Sequence, residues 1–176
     1  MAVMRTTKIV FCLCLISLFV SCGEDKILPI RVEDGLYPID RHGLVENYVP
    51  DFSKNKIYVY STTGCVNEWL RRTTRGKIDR IISENPEWEL LVYVNGCAGD
   101  TSNIRSKLNK YDCDFPVIVD TKGVFRKQNK MKECVLWGAI CDRNNHLVGV
   151  GVIGDGLSVF DSEFKKVKRR MYGRNR

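Results

Sequence analysis

Hydrophobic and polar residues change their spacing several times along the chain, and each change predicts an element. Lys56-Ile-Tyr-Val-Tyr-Ser61 is a β-branched and aromatic run, which predicts a strand, and Thr62-Thr63-Gly64-Cys65 reads as a turn. Val66, Trp69, Leu70, Ile78, Ile81 and Ile82 then fall on one helical stripe, which Gly76 bends or interrupts and Asn85-Pro86 ends. Glu89-Leu-Leu-Val-Tyr-Val94 predicts a second, buried strand. Thr101 or Ser102 is placed to cap a helix through Lys110, with Ile104 and Leu108 facing inward. Pro116-Val-Ile-Val119 is a short strand closed by Asp120. Two strands over 134–141 and 146–153 flank the turn-rich link Asp142-Arg-Asn-Asn145, which predicts a hairpin. Leu157, Phe160, Phe164, Val167 and Met171 recur at helical spacing and close the chain.

The predicted order is strand, helix, strand, helix, short strand, hairpin, helix. Early strands that alternate with helices pair in parallel through right-handed crossovers, and the hairpin adds antiparallel strands. The expected class is therefore α/β, with a central mixed sheet and helices on both faces. Residues 23–50 show no long periodicity and are punctuated by Pro29, Pro38 and Pro50, as in a tether.

The first residues carry a different signal. Arg5 and Lys8 precede a predominantly apolar run from Ile9 to Val20, too short for a membrane-spanning helix of about 20 residues. A basic start, a short apolar core and a small residue at its end mark a secretory signal peptide. Phe19-Val20-Ser21-Cys22 resembles a bacterial lipobox, with Phe19 where leucine is usual. The resemblance implies cleavage before Cys22 and a diacylglycerol on its sulfur, which would hold the protein to a membrane. Cys12 and Cys14, inside the apolar run, act there as small hydrophobes. Gly23 does not resemble the aspartate that retains such proteins in the inner membrane. Glu24-Asp25 resembles the acidic tract that sends some lipoproteins to the outer surface in certain Gram-negative anaerobes. The expected organisation is a signal peptide over 1–21, a lipidated tether and lead-in segment over 22–51, and one domain over 52–176. The expected location is the cell envelope at the outer membrane.

The formal net charge is +7, and loss of Arg5 and Lys8 would lower it by two. Much of the excess sits in Lys165, Lys166, Lys168, Arg169, Arg170, Arg174 and Arg176. At helical spacing opposite an apolar stripe, these are the wet face of a packed helix, and no nucleic-acid partner is expected. Five cysteines follow Cys22, namely Cys65, Cys97, Cys113, Cys134 and Cys141. An odd number in an exported protein implies a thiol outside any internal pair. There is no CxxC, and His42 and His146 make no Cys/His ligand spacing, so neither a metal nor another cofactor is expected. Cys113 and Cys141 are expected to be buried and inert.

Three stretches carry a family resemblance: Ile57-Tyr-Val-Tyr-Ser-Thr-Thr-Gly-Cys65, Phe115-Pro-Val-Ile-Val-Asp120 and Trp137-Gly-Ala-Ile-Cys-Asp-Arg-Asn-Asn-His-Leu-Val148. In this order they resemble the lipid-anchored thioredoxin-like proteins related to thiol–disulfide oxidoreductases and peroxiredoxins, across roughly residues 52–172. The resemblance implies a three-layer thioredoxin-like fold with Cys65 as nucleophile and a protein thiol or disulfide as partner. The chain also departs from the pattern. Glu68 stands where the second cysteine of an active pair would be, and Val135-Leu136-Trp137 where a cis-proline often shapes the groove. Thr62 and Cys65 match part of a peroxiredoxin site, but Tyr58 replaces its proline.

These departures leave two readings. A thiol at a helix start favours attack on a disulfide, because unpaired backbone N–H groups stabilise the thiolate. Glu68 offers no sulfur to resolve the product, and its charge opposes a nearby thiolate. If the strands before Cys65 and Cys97 are neighbours, as in thioredoxin, both sulfurs emerge at one sheet edge and Cys97 becomes a candidate resolving thiol; Cys134 is another cysteine near the groove. The first reading is thus a monothiol or rewired redox protein with impaired or altered activity. The second is a non-catalytic binding or structural lipoprotein, favoured if Trp137 fills the groove formed with Thr62, Glu68, Val135 and Leu136. Trp69 and Trp88 read as packing residues.

Overall fold

A computed structural model describes residues 36–66, 70, 78–97, 99–130, 136–150 and 157–173. The lipobox with Cys22, and Glu68, Trp69, Cys134 and Val135, lie outside the described residues. The described strands are β1 (Leu36–Ile39), β2 (Asn55–Thr62), β3 (Trp88–Asn95), β4 (Val117–Asp120), β5 (Leu136–Cys141) and β6 (Leu147–Val150). The described helices are α1 (Ile78–Ser83), α2 (Asp100–Lys110), α3 (Val124–Gln128) and α4 (Leu157–Tyr172), and residues 63–66 and 70 are also helical. The strands form one sheet in the order β1-β4-β3-β2-β5-β6. β2, β3 and β4 run parallel, while β1, β5 and β6 pair antiparallel to their neighbours.

Because successive strand residues point to opposite faces, each strand feeds two cores. On one face, Ile57 and Val59 of β2 meet Leu90, Val92 and Val94 of β3 and Val117 and Val119 of β4. Ile104 and Leu108 of α2, Phe164 and Val167 of α4, and Val66 and Leu70 cover this face, with Ile81 and Ile82 of α1 packed against it. The two parallel crossovers, β2 to β3 and β3 to β4, step the same way across the sheet. Right-handed connections then put both sets of helices on one side, as found. On the other face, Tyr58, Tyr60, Leu91, Tyr93, Ile118, Ala139 and Cys141 pack with Phe125 of α3. The Phe125 ring lies 4.0 Å from that of Tyr93 and 5.8 and 6.0 Å from those of Tyr58 and Tyr60, so one short helix covers three tyrosines.

α3 was not expected from periodicity, since five residues are too few to show it. Its cue is local: the buried Asp120 carboxylate accepts the Val124 and Phe125 N–H groups at 2.8 and 2.9 Å, and Gly123 takes φ 62°. The carboxylate thereby satisfies two of the orphan donors of the helix start. β1 is the other addition, upstream of the expected domain start at residue 52. It pairs with β4 from Leu36↔Asp120 to Ile39↔Val117. Four residues are too short for a period-2 signal, and Pro38 is tolerated because β1 is the sheet edge.

Every strand predicted from the pattern is present, shifted by one or two residues where its ends are described. α2 differs in its start. Neither Thr101 nor Ser102 caps it; both lie in the first turn, because Asp100 opens the helix and its own carboxylate takes the upstream N–H of Cys97. In α4, Phe164 and Val167 are buried, Met171 is partly buried, and Lys165, Lys166, Arg169 and Arg170 are exposed, with Lys165 and Lys166 paired to Asp161 and Glu163. The side chains of Leu157 and Phe160 lie outside the described residues.

Phe125→Ala would remove the ring shared by three tyrosines. It should destabilise the protein by about 3–5 kcal/mol, read as a lower urea midpoint with an unchanged slope. A loss below about 1 kcal/mol would mean that α3 does not seal this face.

Candidate functional site

β2 is the central feature of the site, since it has neighbours on both edges and seven of its eight residues are buried. Its C-terminal end is held in register on both sides: Thr62 pairs with Asn95 of β3, and Ser61 pairs with Leu136 of β5. Cys65 follows three residues beyond Thr62, and Cys97 two residues beyond Asn95. The expectation that the two strands are neighbours is met, and both thiols leave the same edge of the sheet. Cys65 is half-buried and Cys97 exposed, and both are free thiols. Thr62, Leu136 and Trp137 come to this edge as well, Trp137 opposite Tyr60. The side chains of Leu136 and Trp137 lie outside the described residues, as do Glu68 and Val135; among the described residues the backbone of β5 brings Leu136 and Trp137 to β2.

A hydrogen-bonded knot ties the helical residues that carry Cys65 to the loop that carries Cys97. One carboxylate oxygen of Asp100, Oδ2, accepts the backbone N–H of Cys97 at 2.8 Å and lies 3.1 Å from the Thr63 hydroxyl. The same hydroxyl lies 3.1 Å from the Asn95 carbonyl, and Lys107 Nζ lies 3.4 Å from the Thr63 carbonyl. Gly96 sits inside the knot. A Cβ there would fall 2.4 Å from Thr63 Oγ1 and 2.8 Å from Asp100 Oδ2, so no larger residue fits without opening it. The bonds from Cys97 and Thr63, with Lys107 nearby, hold the Asp100 carboxyl below the ordinary aspartate range. Asp100 does not stand out in the sequence, because Thr101 and Ser102 beside it are equally common capping residues and its carboxylate bonds upstream to Cys97 and not into the helix.

The other described cysteines are unlike these two. Cys113 and Cys141 are fully buried, as expected. Burial pushes the Cys141 thiol up to about 12, with nearby Asp142 adding to the shift and Lys56 opposing it. Such a thiol stays protonated and is no nucleophile. Among the described residues no cluster of His, Cys, Asp or Glu could hold a metal ion.

No protein-family model matches the sequence, and no curated protein does. Solved structures do match. A Chlorobium tepidum protein assigned as the thiol:disulfide interchange protein DsbE superposes with TM-score 0.57 at 12% identity, over 82% of this chain and 96% of that one. The thioredoxin domain of a thiol-disulfide oxidoreductase from Bacteroides vulgatus gives 0.54 at 14%, over 84% and 99%. A thioredoxin-like protein from Porphyromonas gingivalis gives 0.53 at 15%, over 77% and 88%. At these identities the likeness concerns the fold. The chain has the thioredoxin-like α/β fold, with Cys65 at the end of a central strand.

A depressed carboxyl contributes stability that is present above its unfolded-state pKa and lost as pH falls through its folded-state value. The Asp100 carboxyl carbon should therefore titrate below an ordinary aspartate, and the Cys97 amide resonance should move with the same midpoint. A Cys97 amide insensitive to that titration would show the knot is not formed in solution.

Proposed function

We propose that this protein is a lipid-anchored thiol–disulfide protein of the bacterial cell envelope, at the outer membrane, with its chemistry centred on Cys65 and altered from that of a two-cysteine enzyme. The observation that carries the reading is the free, half-buried Cys65 just beyond the central strand of a thioredoxin-like sheet, with a second free thiol, Cys97, just beyond the adjacent strand. Solved structures of this fold that resemble the chain include thiol–disulfide oxidoreductases, which supports the choice of chemistry.

The step is an exchange. Cys65, as thiolate, attacks one sulfur of a partner's disulfide. A bond forms from Cys65 Sγ to that sulfur, the partner's S–S bond breaks, and the second sulfur leaves as a thiolate that takes a proton from water. One disulfide is consumed and one formed, so no outside oxidant enters. With Glu68 three residues on, the position of the second cysteine of a two-cysteine enzyme holds no sulfur to release the partner. The mixed disulfide is the point at which this protein differs from a two-cysteine enzyme.

Incubation with oxidised glutathione should give a glutathione adduct mapped by peptide mass to Cys65, formed before Cys113 or Cys141 reacts. The adduct should be absent in Cys65→Ser. A Cys65→Ser protein that traps as much disulfide as the native one would overturn the redox reading and favour a binding role. The tether has its own test. Cys22→Ser should move the protein from the membrane fraction to the soluble fraction, and a native protein already soluble would remove the anchor.

A further inference from the structure

We infer that Cys97 is the resolving thiol for Cys65 and that Asp100 is the positioning residue that presents it. This rests on the proposed reaction at Cys65 and supplies its second half. Four observations on the same few residues carry it. The strands leading to the two cysteines are hydrogen-bonded neighbours in parallel register, ending at Thr62 and Asn95. The hydroxyl of Thr63, two residues before Cys65, lies 3.1 Å from both the Asn95 carbonyl and the Asp100 carboxylate and donates its one hydrogen between them. That carboxylate also holds the backbone N–H of Cys97 itself. Gly96 leaves space for these bonds, since a Cβ there would overlap the Thr63 hydroxyl and the Asp100 carboxylate.

A knot that only tied two segments together would need no cysteine in it. Here Cys97 carries its thiol exposed, whereas Cys113 and Cys141 are sealed in the two cores. Release of the partner then follows the same exchange. Cys97, as thiolate, attacks Cys65 Sγ in the mixed disulfide. The Cys65–Cys97 bond forms, the bond from Cys65 to the partner breaks, and the partner's sulfur leaves as a thiolate and takes a proton. With oxidised glutathione as probe, the sum is one glutathione disulfide consumed, two glutathione thiols released and one protein disulfide formed. A second dithiol is required to reduce the protein disulfide for another cycle. Holding the two sulfurs on fixed segments makes the resolving step intramolecular, where small misplacements change rates by orders of magnitude.

The test follows the lifetime of the Cys65–glutathione adduct in the purified protein. In the native protein it should be transient and give way to a Cys65–Cys97 disulfide found by peptide mass. In Cys97→Ser it should last about tenfold longer or more. Asp100→Ala should slow resolution about tenfold, with an unchanged far-ultraviolet circular dichroism spectrum as the check that the fold is intact. Asp100→Asn, which keeps an acceptor oxygen, should restore resolution to within about twofold of native. An adduct at Cys65 whose lifetime is the same in Cys97→Ser overturns the inference and leaves the monothiol reading standing. Resolution unaltered in Asp100→Ala overturns the role of Asp100. No adduct at Cys65 in any form of the protein overturns the proposed reaction, and this inference with it.

Discussion

The burial of β2 on both faces and both edges is the constraint on which the rest of this structure depends. A strand in that position must be apolar or aromatic at successive residues, and Ile57, Tyr58, Val59 and Tyr60 are. Alternation then separates two cores of different character. The aliphatic side takes the long helices, and the tyrosine side takes Phe125. At the N-terminal end of the strand the fully buried Lys56 side chain has its ammonium 3.6 Å from Glu89 and donates to the Lys54 carbonyl at 2.6 Å and to the Asp51 carbonyl. Burial pushes the Lys56 pKa below its ordinary value, against the pull of Glu89 and Asp51. A buried charge is tolerated only when paired in this way. It pins one end of β2 while the paired strands fix the other.

What emerges at that other end is placed by backbone pairing and by few side-chain contacts. Parallel register brings the ends of β2 and β3 level, and the antiparallel β5 brings Leu136 opposite Ser61. Chemistry at the C-terminal ends of parallel strands is then a matter of which residues follow the last hydrogen-bonded pair. In this chain they are a free thiol in the helical residues after β2 and another on the loop after β3, with a carboxylate and a hydroxyl joining the two segments. Glu68 offers no sulfur three residues after Cys65, but the segment that follows the adjacent strand carries Cys97.

The interval of the hydrophobic pattern carried most of the fold. Period-2 and two-sided apolar runs located β2, β3, β4 and the hairpin, and the 3.6-residue stripes of Ile104 with Leu108 and of Phe164 with Val167 located α2 and α4. These signals are legible because burial is repeated over several turns or strand pairs. β1 and α3 were not legible. Each is four or five residues long, and each is stabilised by a partner distant in sequence or by a single buried carboxylate. The position of Cys65 after a strand was plain, whereas Asp100 was not, since Thr101 and Ser102 beside it are equally common capping residues.

By itself, then, the sequence determined the longer strands and helices, which faces they bury, and that Cys65 follows the end of a strand. Those properties depend on residues within a few positions of one another. The tertiary structure alone decided that β2 lies between β3 and β5, that Leu36–Ile39 joins the sheet against β4, and that one oxygen of Asp100 bonds both Thr63 and Cys97. The physical reason is that strand neighbours and shared hydrogen-bond acceptors join residues tens of positions apart. Their pairing is set by the register of the whole sheet, which no local pattern encodes.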